Sequence, residues 1–202
     1  VSLSTAGHSS SVKQIAIVDA RQFISGSSDR KVKLWTHEQT ATGQQCTCAG
    51  TFSGPPSPVA GVDVKDGTIF AGFRNGAVRA WSLERGDLVW QKQLVLEAEG
   101  FLFLHPRAVV WEDSIRVWDI ETAQLVATLT GHVKRVTCAR PMVHALLTSS
   151  IDKTVRIWDM QASTCAHVLK AHNASVNAIE IFSQVMLATC SNDRLVKIWD
   201  LR

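Results

Sequence analysis

Short apolar runs alternate with polar corners along the whole chain, and one arrangement of them recurs. From Thr189 to Asp200 the chain reads Thr-Cys-Ser-Asn-Asp-Arg-Leu-Val-Lys-Ile-Trp-Asp. Small residues lead to a corner at Asn192-Asp193, and Leu195, Val196 and Ile198 then run up to Trp199. β-Branched side chains suit a pleated, half-buried surface, and Asn and Asp offer oxygens to turn amides, so the stretch predicts a β-hairpin. The pattern returns at Ser25 to Trp35 around Asp29, at Thr148 to Asp159 around Asp152, and more weakly at Ala71 to Trp81 around Asn75 and Val109 to Asp119 around Asp113. Trp35, Trp81, Trp118, Trp158 and Trp199 are spaced 46, 37, 40 and 41 residues apart. Self-similarity at such a period marks a repeat architecture, here built of strands.

Between the hairpins the same periodicity predicts further strands at Val12 to Val18, Cys46 to Phe52, Val59 to Val64, Leu88 to Leu94 and Phe101 to Leu104. Val1 to Thr5 reads as an outer strand ending one unit, because Val126 to Thr130 stands in the same place before Gly131-His132. Thr36 to Gln45 reads as a polar loop, and Gly54-Pro55-Pro56-Ser57-Pro58 as a stiff corner, since proline fixes φ and removes donors. The five units fall at residues 1–35, 44–81, 87–118, 124–158 and 165–199 of one all-β domain covering 1–202. Each has four short strands and one apolar face that only a neighbouring unit can cover.

Composition narrows the function classes. The chain has 202 residues, of which 46% are hydrophobic and 19% charged, which supports a core and excludes disorder. The net charge of +3 is unevenly spread: residues 82–121 carry four Lys/Arg against eight Asp/Glu, and residues 122–202 nine against five. That is short of the basic stripe a nucleic-acid binder needs, Tyr is absent, and no RNA-binding aromatic motif occurs. Cys46, Cys48, Cys138, Cys165 and Cys190 are odd in number and have no paired spacing, which predicts no disulfide framework, no zinc site and a reducing, intracellular compartment. No apolar run approaches a membrane span and no signal peptide is evident. The start at Val1 rather than Met suggests a processed or excised piece.

Gly-His, about 20 residues, Asp, and then Trp-Asp at a period near 40 resembles the WD-repeat β-propeller family. In that family a His, a Ser or Thr, an Asp and a Trp form a structural tetrad. The matching positions are His8, Ser25, Asp29 and Trp35; His132, Thr148, Asp152 and Trp158; and His172, Thr189, Asp193 and Trp199. The second unit lacks the His and has Ala71 and Asn75. The third has Val109 at the hydroxyl position and one residue fewer before Trp118. The resemblance implies four-stranded antiparallel blades and, since family rings mostly have seven, five units that are part of a larger, seven-bladed propeller. The alternative is a five-bladed ring in which the two ends complete one blade.

Candidate chemistry is weighed against that architecture. Ser, His and Asp in one unit suggest a hydrolase triad, but a catalytic set is needed once and this one appears three times, always with a Trp. Cys46 with Cys48 lacks partners for a metal, and Glu97 with Glu99, or Glu112 with Asp113, reads as solvated blade edge. The expectation is therefore a non-catalytic scaffold without metal or cofactor, cytoplasmic or nuclear, binding proteins or peptides through its faces, with neither membrane nor nucleic acid as partner. Arg74, Lys134 and Arg135 occupy positions that in the family look onto one rim, where loops on a rigid scaffold carry function. A second resemblance attaches to Trp199-Asp200-Leu201-Arg202. It is similar to the box by which some WD-repeat proteins dock on the adaptor of a cullin-RING ubiquitin ligase, which implies a substrate receptor with Arg202 as the contact.

Overall fold

Where β-branched and aromatic residues alternate with polar ones, the computed structural model forms strands, and every hairpin expected from the five tryptophans is present. It describes residues 7–40, 43–183 and 185–202. The expected strand at Val1 to Thr5 lies outside the described residues. The strands pair antiparallel into five sheets. The first holds β1 (Val12–Ile17), β2 (Gln22–Ser27), β3 (Lys31–Thr40) and β4 (Gly43–Ser53). The second holds β5 (Val59–Lys65), β6 (Thr68–Phe73), β7 (Ala77–Ser82) and β8 (Leu88–Gln93). The third holds β9 (Gly100–Leu104), β10 (Arg107–Trp111), β11 (Ile115–Asp119) and β12 (Leu125–Leu129). The fourth holds β13 (Val136–Met142), β14 (Ala145–Ser150), β15 (Val155–Asp159) and β16 (Thr164–Leu169). The fifth holds β17 (Val176–Ile181), β18 (Met186–Ser191) and β19 (Val196–Asp200).

This arrangement corrects three expectations. The described residues make five blades, four of four strands and one of three, in place of uniform four-stranded blades in a seven-bladed ring. Each repeat tryptophan marks one sheet, so the blade count follows the tryptophans, although β4, β8, β12 and β16 open the next unit in the sequence and pair into the sheet before it; seven came from the family's habit and from no residue of this chain. Of the expected polar loop at Thr36 to Gln45, residues 36–40 and 43–45 are instead a ribbon, with β3 and β4 paired from Lys31–Ser53 out to Thr40–Gly43, and residues 41–42 lie outside the described residues. Thr36 and Thr47 are β-branched, and threonine fits a strand while remaining polar. In the third sheet Val110, not Val109, pairs with Arg116, as Thr148 pairs with Arg156 and Ser25 with Lys33. The hydroxyl position therefore belongs to Val110, and the hairpin is two residues shorter than that of the fourth sheet.

The chain divides into two compact units, Val1–Phe103 and Leu104–Arg202. In the first, Ile24, Val32, Leu34 and Phe52 of the first sheet bury against Val59, Val62, Ile69, Ala71, Phe73 and Trp81 of the second. Valine side chains of β5 press onto the bare Cα of Gly26 there: a Cβ on it would meet Val59 Cγ1 at 2.5 Å, so glycine is required. In the second unit, Leu147, Val155 and Ile157 pack on Ala171, Val176, Ile179 and Leu187. At the edge of this contact Thr137 Oγ1 donates to the Val176 carbonyl at 2.5 Å. A β-bulge precedes the repeat tryptophan in four sheets, at Leu34/Trp35, Ala80/Trp81, Val117/Trp118 and Ile157/Trp158. Bulges re-aim a side chain, which here sets the indole.

Candidate functional site

Each regular unit builds the same polar chain at the same place. In the fourth sheet Trp158 Nε1–H donates to Thr148 Oγ1 at 2.7 Å, and Thr148 lies 2.8 Å from His132 Nε2. His132 Nδ1 lies 2.7 Å from Asp152 Oδ2. Every donor finds an acceptor when Nδ1 carries the imidazole proton and Nε2 accepts from the threonine. The first sheet repeats this with Trp35 to Ser25 at 2.7 Å, Ser25 to His8 at 2.7 Å and His8 to Asp29 at 2.9 Å. The fifth has Trp199 to Thr189 at 2.9 Å, with Thr189 to His172 and His172 to Asp193 both at 2.8 Å.

The aspartates also staple their corners. Asp152 Oδ2 accepts the Val133 amide and Oδ1 the Thr154 amide, as Asp29 does for Ser9 and Lys31 and Asp193 for Asn173 and Leu195. The residue after each Asp is left-handed: Arg30, Lys153 and Arg194 have φ of 73°, 74° and 68°. For Asp193, burial acts to raise the pKa, but the Asn173 amide, His172 and the Leu195 amide outweigh it and hold the carboxyl down at about 2. Asp29 and Asp152 are also lowered, with burial again opposed by hydrogen bonds. His132 is lowered by burial, partly offset by Asp152, so it is neutral near pH 7.

Sequence reasoning missed one member of the set. Ser27, Ser150 and Ser191 accept the Asp29, Asp152 and Asp193 amides at 3.1, 3.0 and 3.1 Å. The Ser-x-Asp spacing recurs with the tetrad and could have revealed it. The irregular units lack this chemistry. In the second, Ser57 Oγ accepts the Asn75 amide at 3.0 Å and Asn75 Oδ1 the Ala77 amide at 3.3 Å. In the third, the buried Trp118 Nε1–H has no acceptor among the described residues, because valine stands where a hydroxyl would.

The candidate contact residues are placed differently. Lys134 and Arg135 are exposed on the loop after His132, beside Val133, which is 82% exposed. Arg74 is exposed and forms an ion pair with Glu99. It lies in the first compact unit and the Lys134 loop in the second. Arg202 is exposed, and its Nε donates to both Asp200 oxygens at 3.0 Å. Leu201 N donates to the Val185 carbonyl at 2.8 Å, which fixes the strand that presents this arginine. Ser25, Thr148 and Thr189 are all buried and each already takes an indole N–H. A hydroxyl so enclosed cannot reach a substrate carbonyl, which removes the hydrolase reading.

The family model for the WD domain, G-beta repeat, matches residues 1–36, 123–159 and 163–200. The chain belongs to the WD-repeat family. Those segments are the three units with complete tetrads. A WD-repeat relative, the F-box/WD repeat-containing protein sel-10 of Caenorhabditis elegans, is 32% identical over 109 residues, spanning 50% of this chain and 19% of that protein. Human WD repeat-containing protein 37 is 27% identical over 207 residues, spanning 98% of this chain and 41% of its own length. The chain thus spans less than half the length of these curated relatives. The solved WD40 β-propeller domain of Doa1 shares the fold with a TM-score of 0.76 at 21% identity, over 97% of this chain and 67% of that one. WD-repeat propellers are typically non-catalytic protein–protein interaction scaffolds. Among the described residues no helix is long and apolar enough to cross a membrane.

Proposed function

We propose that this chain is a non-catalytic interaction scaffold, working in the cytoplasm or nucleus, whose rim loops bind a protein or peptide. One observation carries the reading. The hydroxyls, imidazoles and carboxylates that could do chemistry are spent on holding hairpins, while Val133, Lys134 and Arg135 stand together in solvent on a corner that Asp152 fixes. A rigid loop bearing an apolar side chain between polar neighbours has the makeup of a protein contact. Arg74, ion-paired with Glu99, is a further candidate contact in the first compact unit. The tetrads are architectural in this reading. Capture of partners from cell extract by the chain, compared with Lys134→Glu/Arg135→Glu, tests it: the double variant keeps its thermal stability and loses partners. Identical capture by both proteins refutes the rim assignment.

A second reading is favoured by Arg202. Its guanidinium is exposed; Asp200 takes the Nε/Nη2 edge, which leaves the other edge of the planar fork to engage an acceptor in a way that lysine would imitate poorly. Similarity to a protein whose name joins an F-box to WD repeats supports a link to ubiquitin ligases. In this reading the chain docks on a cullin-RING ligase adaptor through Trp199-Asp200-Leu201-Arg202. Arg202→Ala then abolishes co-purification of the adaptor with melting temperature unchanged. No adaptor with the unaltered chain ends the reading.

A further inference from the structure

Where the regular units carry their tetrads, the second sheet has a cavity. Val59 stands opposite Phe73 as Val136 stands opposite Ser150, and Arg74 N donates to the Pro58 carbonyl as Ile151 N does to that of Arg135. By that register Pro55 takes the place of His132, Pro56 that of Val133, Asn75 that of Asp152 and Ala77 that of Thr154. Each change removes a group. Proline brings neither an imidazole nor an amide hydrogen, and alanine brings no hydroxyl. What remains is a cavity of about 280 Å³ lined by Pro55, Asn75, Ala77, Arg79, Gln91 and Gln93, all within the first compact unit. Its donors are unspent. Asn75 Oδ1 accepts the Ala77 amide at 3.3 Å, so Nδ2 stands in the place of the Asp152 oxygen that meets His132 and Val133, and among the described residues it has no partner. Arg79, opposite Gln91 on this face, engages the Ser53 carbonyl through Nη1 at 2.9 Å and leaves Nε and Nη2 unengaged among the described residues. No carboxylate lines the cavity. Lys92 borders it, but its ammonium lies over the Trp90 ring, 5.4 Å from the centroid. The corner that presents Asn75 is fixed, since the Ala98 and Leu94 amides donate to the Arg74 and Gly76 carbonyls at 2.8 and 3.0 Å and Gln93 Nε2 donates to the carbonyl between them.

We propose that this cavity takes a carboxylate side chain from an acidic segment of a partner protein, with Arg79 as its counter-charge and the Asn75 and Gln91 amides as neutral donors. One guanidinium among amides suits a single negative charge, whereas a phosphate, carrying nearly two, calls for a second cation. The volume falls below the range of about 300–1,000 Å³ typical of sites for drug-sized ligands, and suits one side chain. A donor set held in place before binding loses little on ordering. The proposal rests on the scaffold reading only in taking the carboxylate from a protein; the cavity is a separate site from the Lys134 loop.

Titration of the isotope-labelled 202-residue chain with acetyl-Gly-Glu-Gly-amide, followed by NMR of the side-chain N–H groups, tests this. The expected result is saturable shifts at Asn75 Nδ2, Gln91 Nε2 and Arg79 Nε, and none with the glutamine counterpart of the peptide. Asn75→Asp keeps an acceptor for the Ala77 amide and sets a like charge in the cavity, so it weakens binding of the glutamate peptide about tenfold or more, as does Arg79→Gln. Lys134→Glu/Arg135→Glu leaves this binding unchanged, so the cavity and the rim loop stand or fall separately. Absence of saturable shifts at the three groups in the unaltered chain overturns the proposal, as does an equal response to the glutamine peptide. Tighter binding of the phosphoserine peptide overturns the carboxylate assignment, and acetate alone binding as tightly overturns the protein source. Undiminished binding by a variant that melts like the unaltered chain is equally fatal.

Discussion

Along the line from Trp158 through Thr148 and His132 to Asp152, each hydrogen bond fixes the direction of the next. The indole can only donate, so the threonine oxygen accepts and its proton goes to Nε2, which leaves the Nδ1 proton for the carboxylate. Removing one end strands the rest. Asp152→Ala is expected to lower stability by about 1–3 kcal/mol, the cost of leaving a buried donor unpaired. Trp158→Ala should cost about 3–5 kcal/mol through the cavity it opens, since that indole is almost fully enclosed. Asn75→Ala should cost less than Asp152→Ala, for it breaks only a corner bond at 3.3 Å. Urea unfolding of the three variants checks the order, and equal losses at Asp152 and Asn75 would refute it. The same line makes stability fall in acid. His132 has a folded pKa below its ordinary value, so its contribution is whole above about pH 6.5 and declines as pH drops below that. Asp193, held at about 2, contributes above the usual carboxylate range and loses that contribution as pH falls from there toward 2. Urea midpoints measured from pH 7 to pH 2 should show both steps, and Asp193→Asn should weaken the lower one.

At the scale of a hairpin, the third sheet is the weak one. Its corner Glu112-Asp113-Ser114 is short, no Gly-His precedes its unit in the sequence, and the Trp118 Nε1–H has no acceptor among the described residues. Amides of β10 and β11 should therefore exchange with solvent faster than those of β14 and β15. Equal protection would mean that apolar packing alone sets hairpin stability. Val110→Thr, which puts a hydroxyl opposite Arg116, should slow exchange of the Trp118 indole proton and raise stability by about 1 kcal/mol. No gain there would show that Trp118 lies off the line that Trp158 follows. The tetrad positions could be read in the sequence because polar groups that must satisfy one another recur at fixed spacing. Val110 could not, because the shortened corner moves the register, and only the ladder shows by how much. The ribbon beyond Trp35 was missed for a related reason: threonine-rich polar chain reads as loop until a partner strand supplies its hydrogen bonds.

For the molecule as a whole, tryptophan spacing set the number of sheets, and the family's usual ring size misled where the residues themselves did not. Function was legible only to the level of class, because a propeller's interior chemistry is shared across the family while its contacts are made by single loop residues. If the rim at Lys134 and Arg135 is the contact, partner capture should weaken as salt rises, since exposed charges are screened within about a Debye length. Capture indifferent to salt would point instead to the apolar Val133. A last consequence concerns ancestry. β16 lies in the stretch of chain leading to His172, yet it hydrogen-bonds to β15 of the sheet before. The inherited segment and the folded blade are thus out of phase by one strand. Duplication or loss of a segment would pass a strand to the neighbouring blade at each join, so the number of blades can change over generations without an unpaired edge appearing in the interior.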